Sequence, residues 1–247
     1  QMLLGKPRGP SLQGIPVLER MVESRSLVVS VAYVFRHHPS LAAMRRAIVE
    51  RRFGEPVQVV ASVGQHFPTY RPAYREIYYR DRATGGGAVQ DSLTHTLNSA
   101  EWLVGPIDAL VADAAHQVLD GVDVEDTAHV LTRQGAVLGN FSLNQHQAPN
   151  ELIISVNCTR GTARFQAHQH CWSWMTEPGG EWNHESHDMS ERDTLFVYQA
   201  QAFLDALDRK AEPACTLAEG IQTLRVNREI LRCVDRGQAL QPVKRPR

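Results

Sequence analysis

Apolar positions recur along the chain with two different periods, and the change from one to the other divides it. Residues 2–4, Met-Leu-Leu, form a short apolar run that stops at Gly5, Lys6 and Pro7. Ser11 is placed to cap a helix reaching Ser24, with Ile15, Leu18, Met21 and Val22 on one stripe. The run LVVSVAYV over 27–34 is apolar on both faces, which suits a buried parallel strand. Strand, helix, strand make one α/β crossover. Pro39 then opens a helix over 40–52, with Leu41, Met44, Ile48 and Val49 inward and Gly54 after its end. Residues 57–66 read as a strand. Residues 67–84, rich in Tyr, Arg and Pro, show no period and read as a long loop with a short helical turn. Three glycines, Gly85 to Gly87, open a helix reaching about Val104 whose stripe is Val89, Leu93, Leu97, Ala100 and Leu103.

From Ile107 the texture changes. Strands are expected at 109–118, 126–133, 136–145, 152–158 and 162–167, with Gly135 and Gly161 as hairpin residues. Residues 171–175 add a further strand or a loop, and two helices, over 192–209 and 216–234, close the pattern. The expected fold class is α+β: an open, mainly antiparallel β-sheet with helices on one face, preceded by a remnant β-α-β. Two parallel strands cannot stand alone, so that remnant needs further structure to dock on.

The 43% hydrophobic and 21% charged residues of the 247-residue chain are ordinary for a globular protein. A net charge of −1 offers no footprint for nucleic acid, and no apolar run of about 18 residues predicts a membrane span. The basic end Lys244-Arg245-Pro246-Arg247 reads as a frayed terminus. Four cysteines without CxxC spacing suit a reducing compartment, and the expected location is cytoplasmic. Lysine occurs only at positions 6, 210 and 244. Where arginine carries nearly all positive charge, a retained lysine draws notice, because an ammonium is compact and can lose its proton when desolvated.

Candidate chemistry gathers around TGGGAVQDSLTHTLNSAEWL. The glycine run lacks the strand before it, the G-x-G-x-x-G spacing and the later acidic residue of a dinucleotide turn. Close backbone approach at the helix start is a better use, and a merely flexible helix entry is the plain alternative. Asp91 and His95, four apart, are expected to share a helix face. They read as a surface pair or as a base with a carboxylate that supports its charged form. A metal site would need further ligands, such as His66 or His116, for which no spacing speaks. His37 and His38 could line a site at the end of the buried strand. His168, His170, His184 and His187, around the tryptophan-rich stretch 171–187, read as a surface or interface loop.

Taken together, LLGKP, VAYVFRHHPSL and GGGAVQDSLTHTLNSAEWLVG resemble the Gfo/Idh/MocA family of oxidoreductases. Members end their fifth Rossmann strand with Glu-Lys-Pro; here Lys6 and Pro7 stand after Gly5. An Arg-x-x-Pro-like turn matches Arg36 to Pro39. A glycine group, an aspartate, a histidine four residues later and a Trp-Leu ending match Gly85 to Leu103. The resemblance runs as far as LAEGIQTLRVNREIL. It implies a remnant of a Rossmann nucleotide-binding domain over 1–36 and a substrate and oligomerisation domain over 37–247. It implies hydride transfer between a sugar or polyol and NAD or NADP, with a homo-oligomer formed through the open sheet face. Carried over by motif, His95 is the general base, Lys6 stabilises the developing alkoxide, and Asp91 keeps substrate and base in register. Lys6 and Pro7 border the cofactor. The loop over 67–84 becomes a candidate substrate lid. Arg36, Arg71, Tyr74 and Arg75 become candidate substrate-binding residues, and Tyr79 lies in the same loop; arginine there suits a carboxylate or sulfonate.

The glycine-rich pyrophosphate turn of the family pattern has no counterpart here, so the expectation is a chain that binds NAD(P) poorly by itself. Two other readings stand beside the dehydrogenase: a binding or assembly module without chemistry, and a metal-assisted hydrolase or isomerase using Asp91 and His95.

Overall fold

Alternation along the strands decides which face of the main sheet is covered. In β5 (Thr127–Gln134), Ala128, Val130, Thr132 and Gln134 are buried, while His129, Leu131 and Arg133 face solvent. The computed structural model describes residues 1–6, 12–189, 191 and 193–237. The expected cap Ser11, Pro7, which was expected to border the cofactor, Arg192 and the basic end 244–247 lie outside the described residues.

The remaining strands of the main sheet are β3 (Pro56–Gly64), β4 (Ala109–Ala115), β6 (Val137–Asn144), β7 (Glu151–Cys158), β8 (Gly161–Gln166), β9 (Cys171–Met175) and β10 (Asn183–Ser186). Their order is β10-β9-β8-β7-β3-β6-β5-β4. Every neighbouring pair is antiparallel except β3 with β6. The expected meander is therefore corrected at one place. β3, first in sequence, inserts between β6 and β7, so those two strands do not pair directly. The fold is α+β, as expected.

Three helices cover the buried face: α2 (Pro39–Val49), α4 (Thr94–Val104) and α6 (Leu217–Arg236). Leu41 and Met44 of α2, Leu97 of α4 and Ile230 of α6 meet Phe141, Ile154 and Phe165 of the sheet, all completely buried. Each such side chain contributes about 1.5–3 kcal/mol relative to exposure. Val49 was expected inward but is 57% exposed; Ala47 fills the stripe instead. The short helix α3 (Phe67–Tyr70) and three 3₁₀ turns occupy the long loop. Helix α5 (Thr194–Leu207) precedes α6.

A second, two-stranded parallel sheet joins β1 (Met2–Leu4) to β2 (Val29–Val31), with α1 (Ile15–Ser24) between them. β2 is shorter than its apolar run, because the chain turns into a 3₁₀ segment, Val34–His37. This small sheet is tied to the larger unit. Val31 N–H donates to Cys215 O at 2.9 Å, and α6 approaches so closely that a Cβ on Gly220 would stand 2.5 Å from a Val31 methyl. No helix among the described residues is long and apolar enough to cross a membrane.

Candidate active site

The glycines set the path of the chain into the site. Gly85 and Gly87 adopt φ of +90° and +86°, in the left-handed region. A Cβ on Gly86 would stand 2.1 Å from the Tyr79 carbonyl oxygen. Close backbone approach, rather than flexibility, explains this run. Ala88 N–H then donates to Glu125 O at 2.8 Å and Val89 N–H to the Glu125 carboxylate at 3.2 Å. The segment Val89–Leu93 is a π-helical turn, and α4 begins only at Thr94. Asp91 therefore lies in the wider turn and His95 in the first α turn, so they do not stack as an ordinary i, i+4 pair.

Asp91 is 4% exposed and faces Lys6 instead. The Lys6 ammonium donates to the Asp91 backbone oxygen, and to Asp91 Oδ1 at 3.2 Å. Tyr78 Oη–H donates to the same Oδ1 at 2.5 Å, and Ser92 Oγ–H donates to Oδ2 at 3.1 Å. Gln145 Nε2–H donates to Ser92 Oγ at 3.1 Å, and Tyr79 Oη–H donates to Gln145 Oε1. Burial would raise the Asp91 carboxyl, but the Lys6 charge, the Tyr78 hydrogen bond and the Arg71 charge hold it below its ordinary 3.8.

His95 is partly exposed and packs edge-on against Tyr33 and Phe35, each at 5.7 Å between ring centroids. Nδ1 is buried without a hydrogen-bond partner among the described residues, which leaves Nε2 to meet the cleft. Burial, then the Lys6 charge and the Arg71 charge hold the imidazole down to about 3, against the opposing pull of Asp91. The expected support of the charged form by Asp91 is thus outweighed, since that carboxylate is spent on Lys6, Tyr78 and Ser92.

These groups surround a half-open cleft of about 780 Å³, lined by Lys6, Arg71, Tyr78, Asp91, His95 and Gln145 among others. It opens where β1 and β2 end, at Gly5 and Ala32, and is bounded elsewhere by the ends of β3, β6 and β7.

The structure does not bring the other expected residues there. Arg36, 5% exposed, gives its guanidinium to Asn98 Oδ1 at 2.9 Å, Ala214 O at 2.8 Å and Glu219 Oε1 at 2.6 Å. It clamps α4 to the start of α6 and has no geometry for substrate. Tyr74, 1% exposed, donates to Asp120 O at 2.8 Å within a cluster with Phe67 and Tyr79. Arg75 donates to the same oxygen at 2.8 Å. Both pin the loop to the β4–β5 connection, because their polar atoms find partners there. Of the loop's candidates only Arg71 lines the cleft. Tyr78, Ser92 and Gln145 were missed; a tyrosine in an aperiodic loop and a glutamine at a strand end carry no pattern that singles them out.

The histidines divide. His168 and His170 reach the cleft wall. His38 accepts from Ser40 N–H at 3.2 Å as the cap of α2 and stacks on His170. His187 Nδ1 pairs with Ser40 Oγ at 2.9 Å, and His184 Nδ1 with Ser173 Oγ at 2.8 Å. The expected loop over 171–187 is the β9–β10 hairpin. Among the described residues, no three His, Cys, Asp or Glu side chains stand together as a metal site.

The model of the GFO/IDH/MocA C-terminal domain matches residues 41–164. The fold is similar to levoglucosan dehydrogenase in complex with NADH, with a TM-score of 0.81 and 17% identity over 94% of this chain and 70% of that one. It is similar to UDP-N-acetylglucosamine 3-dehydrogenase from Acidithiobacillus ferrooxidans, with a TM-score of 0.75 and 18% identity over 95% and 70%. It is also similar to an oxidoreductase from Agrobacterium radiobacter in complex with NAD+, L-tartaric acid and magnesium, with a TM-score of 0.77 and 19% identity over 95% and 70%. No curated protein matches the chain.

Proposed function

The chain belongs to the Gfo/Idh/MocA family of oxidoreductases, and on that premise we propose that it is the substrate-binding and assembly portion of an NAD(P)-dependent dehydrogenase acting on a sugar, polyol or related hydroxy compound. One observation carries the reading: Lys6 and His95, far apart in sequence, line a single cleft. The solved relatives with levoglucosan or L-tartaric acid bound support the substrate class.

The residues present fit one end of a dinucleotide. The carboxyl ends of parallel strands are where such cofactors bind, and β1 and β2 end on the cleft. Among the described residues, nothing stands within 4 Å of where a Cβ on Gly5 would be, which suits the approach of a flat ring. Lys6 and Pro7 are the residues proposed to border it. Among the described residues, none forms a glycine-rich strand-to-helix turn for the pyrophosphate. A nicotinamide held there would supply the acceptor for the hydride of the carbinol carbon.

The chain's own residues handle the proton. His95 is neutral at pH 7 and takes the hydroxyl proton, so that the C–O bond becomes a carbonyl as hydride leaves carbon. Lys6 hydrogen-bonds the same oxygen and offsets its developing negative charge. Asp91, held by Tyr78 and Ser92, fixes the ammonium rather than the imidazole. The open face of the sheet, with Val57, Val111, Leu131 and Leu138 exposed, forms the contact of a homo-oligomer. The four unpaired thiols accord with a reducing, cytoplasmic setting.

The test is NAD(P)+-linked oxidation of sugars and polyols by the natural full-length protein. His95→Ala is expected to lower turnover about 10²- to 10⁴-fold while the circular dichroism spectrum is unchanged. Near-normal turnover in that variant would remove His95 as the base. A thermal shift that stays at zero with saturating NAD(P) would favour the binding module without chemistry.

A further inference from the structure

Arg71 is the cationic group of the cleft, among the described residues, that proton transfer leaves unused. It follows α3 and precedes Pro72, and its guanidinium lies 5.6 Å from the ring centroid of buried Phe67. Stacking on an aromatic face restrains the planar fork without using its N–H donors. Among the described residues no carboxylate pairs with it. The nearby Asp91 is spent on Lys6, Tyr78 and Ser92. Glu151, at the start of β7, is the other carboxylate of the lining. The charges that act on His95 are those of Lys6, Asp91 and Arg71. With Lys6 and Asp91 compensating one another and His95 neutral, the uncompensated charge beside the base, among the described residues, is that of Arg71. Gln65, Asn144, Gln145 and Asn150 supply amides elsewhere on the wall, a lining suited to hydroxyl groups.

We propose that the cleft takes a sugar acid: a polyhydroxy compound whose carboxylate sits on Arg71 while a carbinol hydroxyl meets Lys6 and His95. The placement of that hydroxyl rests on the dehydrogenase reading; the carboxylate subsite does not. A guanidinium fork matches a carboxylate through two parallel hydrogen bonds, and a single arginine matches its single charge. A phosphate ester carries up to two charges and more acceptor oxygens, beyond what one fork satisfies. The bound carboxylate also cancels the Arg71 charge that opposes protonation of His95. An anionic substrate thereby makes the imidazole a better proton acceptor, and a neutral sugar does not.

Calorimetric titration of the full chain with D-glucuronate, D-gluconate, D-glucose, D-glucitol and D-glucose 6-phosphate tests this. One of the two acids should bind about tenfold or more tighter than its neutral counterpart. Arg71→Met should weaken that acid about 10- to 100-fold, the range of a charge-assisted hydrogen bond, and leave the neutral compounds unchanged. Arg71→Lys should restore part of the affinity, because it returns the charge without the fork. Circular dichroism would confirm that both variants fold. Equal binding of acids and neutral sugars, no binding of either acid, tighter binding of the phosphate ester, or an acid affinity indifferent to Arg71→Met would overturn the proposal. Arg71-dependent binding of an acid that the natural full-length protein never oxidises would sink the dehydrogenase reading alone. Oxidation of neutral polyols by a protein that binds neither acid would do the reverse.

Discussion

His95 owes its neutrality to its surroundings, and His38 shares the condition. Burial first, then the charges of His170 and His187, hold His38 down to about 4 from its ordinary 6.5, and His95 is held down to about 3. An unfolded chain would bind protons that both folded residues refuse. Their contribution to stability is therefore complete above about pH 6.5 and is lost as pH falls toward 4 and then 3. Chemical denaturation is expected to give a lower unfolding free energy at about pH 5 than at about pH 7, and His38→Gln should flatten that slope. A stability constant across this interval would contradict the neutral state of both rings. Asp91 acts in a lower window with the same sign: its depressed carboxyl stabilises the fold above 3.8 and loses that effect below it. Tyr78→Phe removes the 2.5 Å hydrogen bond to Asp91 and is expected to raise the carboxyl, read by NMR titration of its side-chain carbon.

Helix α4 reaches the cleft only because a π-helical turn and three glycines precede it. The Gly86 position has no room for a side chain, because the obstacle is the Tyr79 backbone oxygen. Gly86→Ala is expected to cost about 1–3 kcal/mol, the usual size of overpacking, measured by denaturant unfolding. An unchanged midpoint would mean the loop yields freely. Gly220→Ala pushes α6 off β2 and is expected to cost a similar amount, because Val31 and the helix are both constrained. Elements with a clean period were legible in the sequence: the stripe of Val89, Leu93 and Leu97 and the alternation of β5 read directly as buried faces. The insertion of β3 between β6 and β7 was not, because pairing order is set by crossover connections that leave no local trace. The π-helical turn was not either, since its stripe reads like that of an α-helix. Strand β10, exposed along its length, has no buried face to alternate with.

At the scale of the molecule, the cleft is assembled from β1 and β2, the loop carrying Arg71 and Tyr78, the π-helical turn with α4, and the ends of the central strands. The motif resemblance singled out Lys6, Asp91 and His95 together, and these do share the cleft. It also suggested Arg36, Tyr74 and Arg75, which internal hydrogen bonds withdraw from it. The sequence shows residue types, whereas partners such as Glu219 or the Asp120 oxygen become neighbours only through the tertiary path. Association through the open sheet face is expected to appear in sedimentation as a mass above that of one chain, and Leu131→Arg, outside the cleft, is expected to reduce it. A monomer at all concentrations would reject that face as an interface. The convergence of Lys6 and His95 is tested most directly by NMR titration of the His95 imidazole in the natural protein and in Lys6→Met. The account predicts an imidazole that stays neutral from about pH 8 to about pH 5 and whose pKa rises when the ammonium is removed. A His95 that titrates near 6.5, or one unmoved by Lys6→Met, would contradict it.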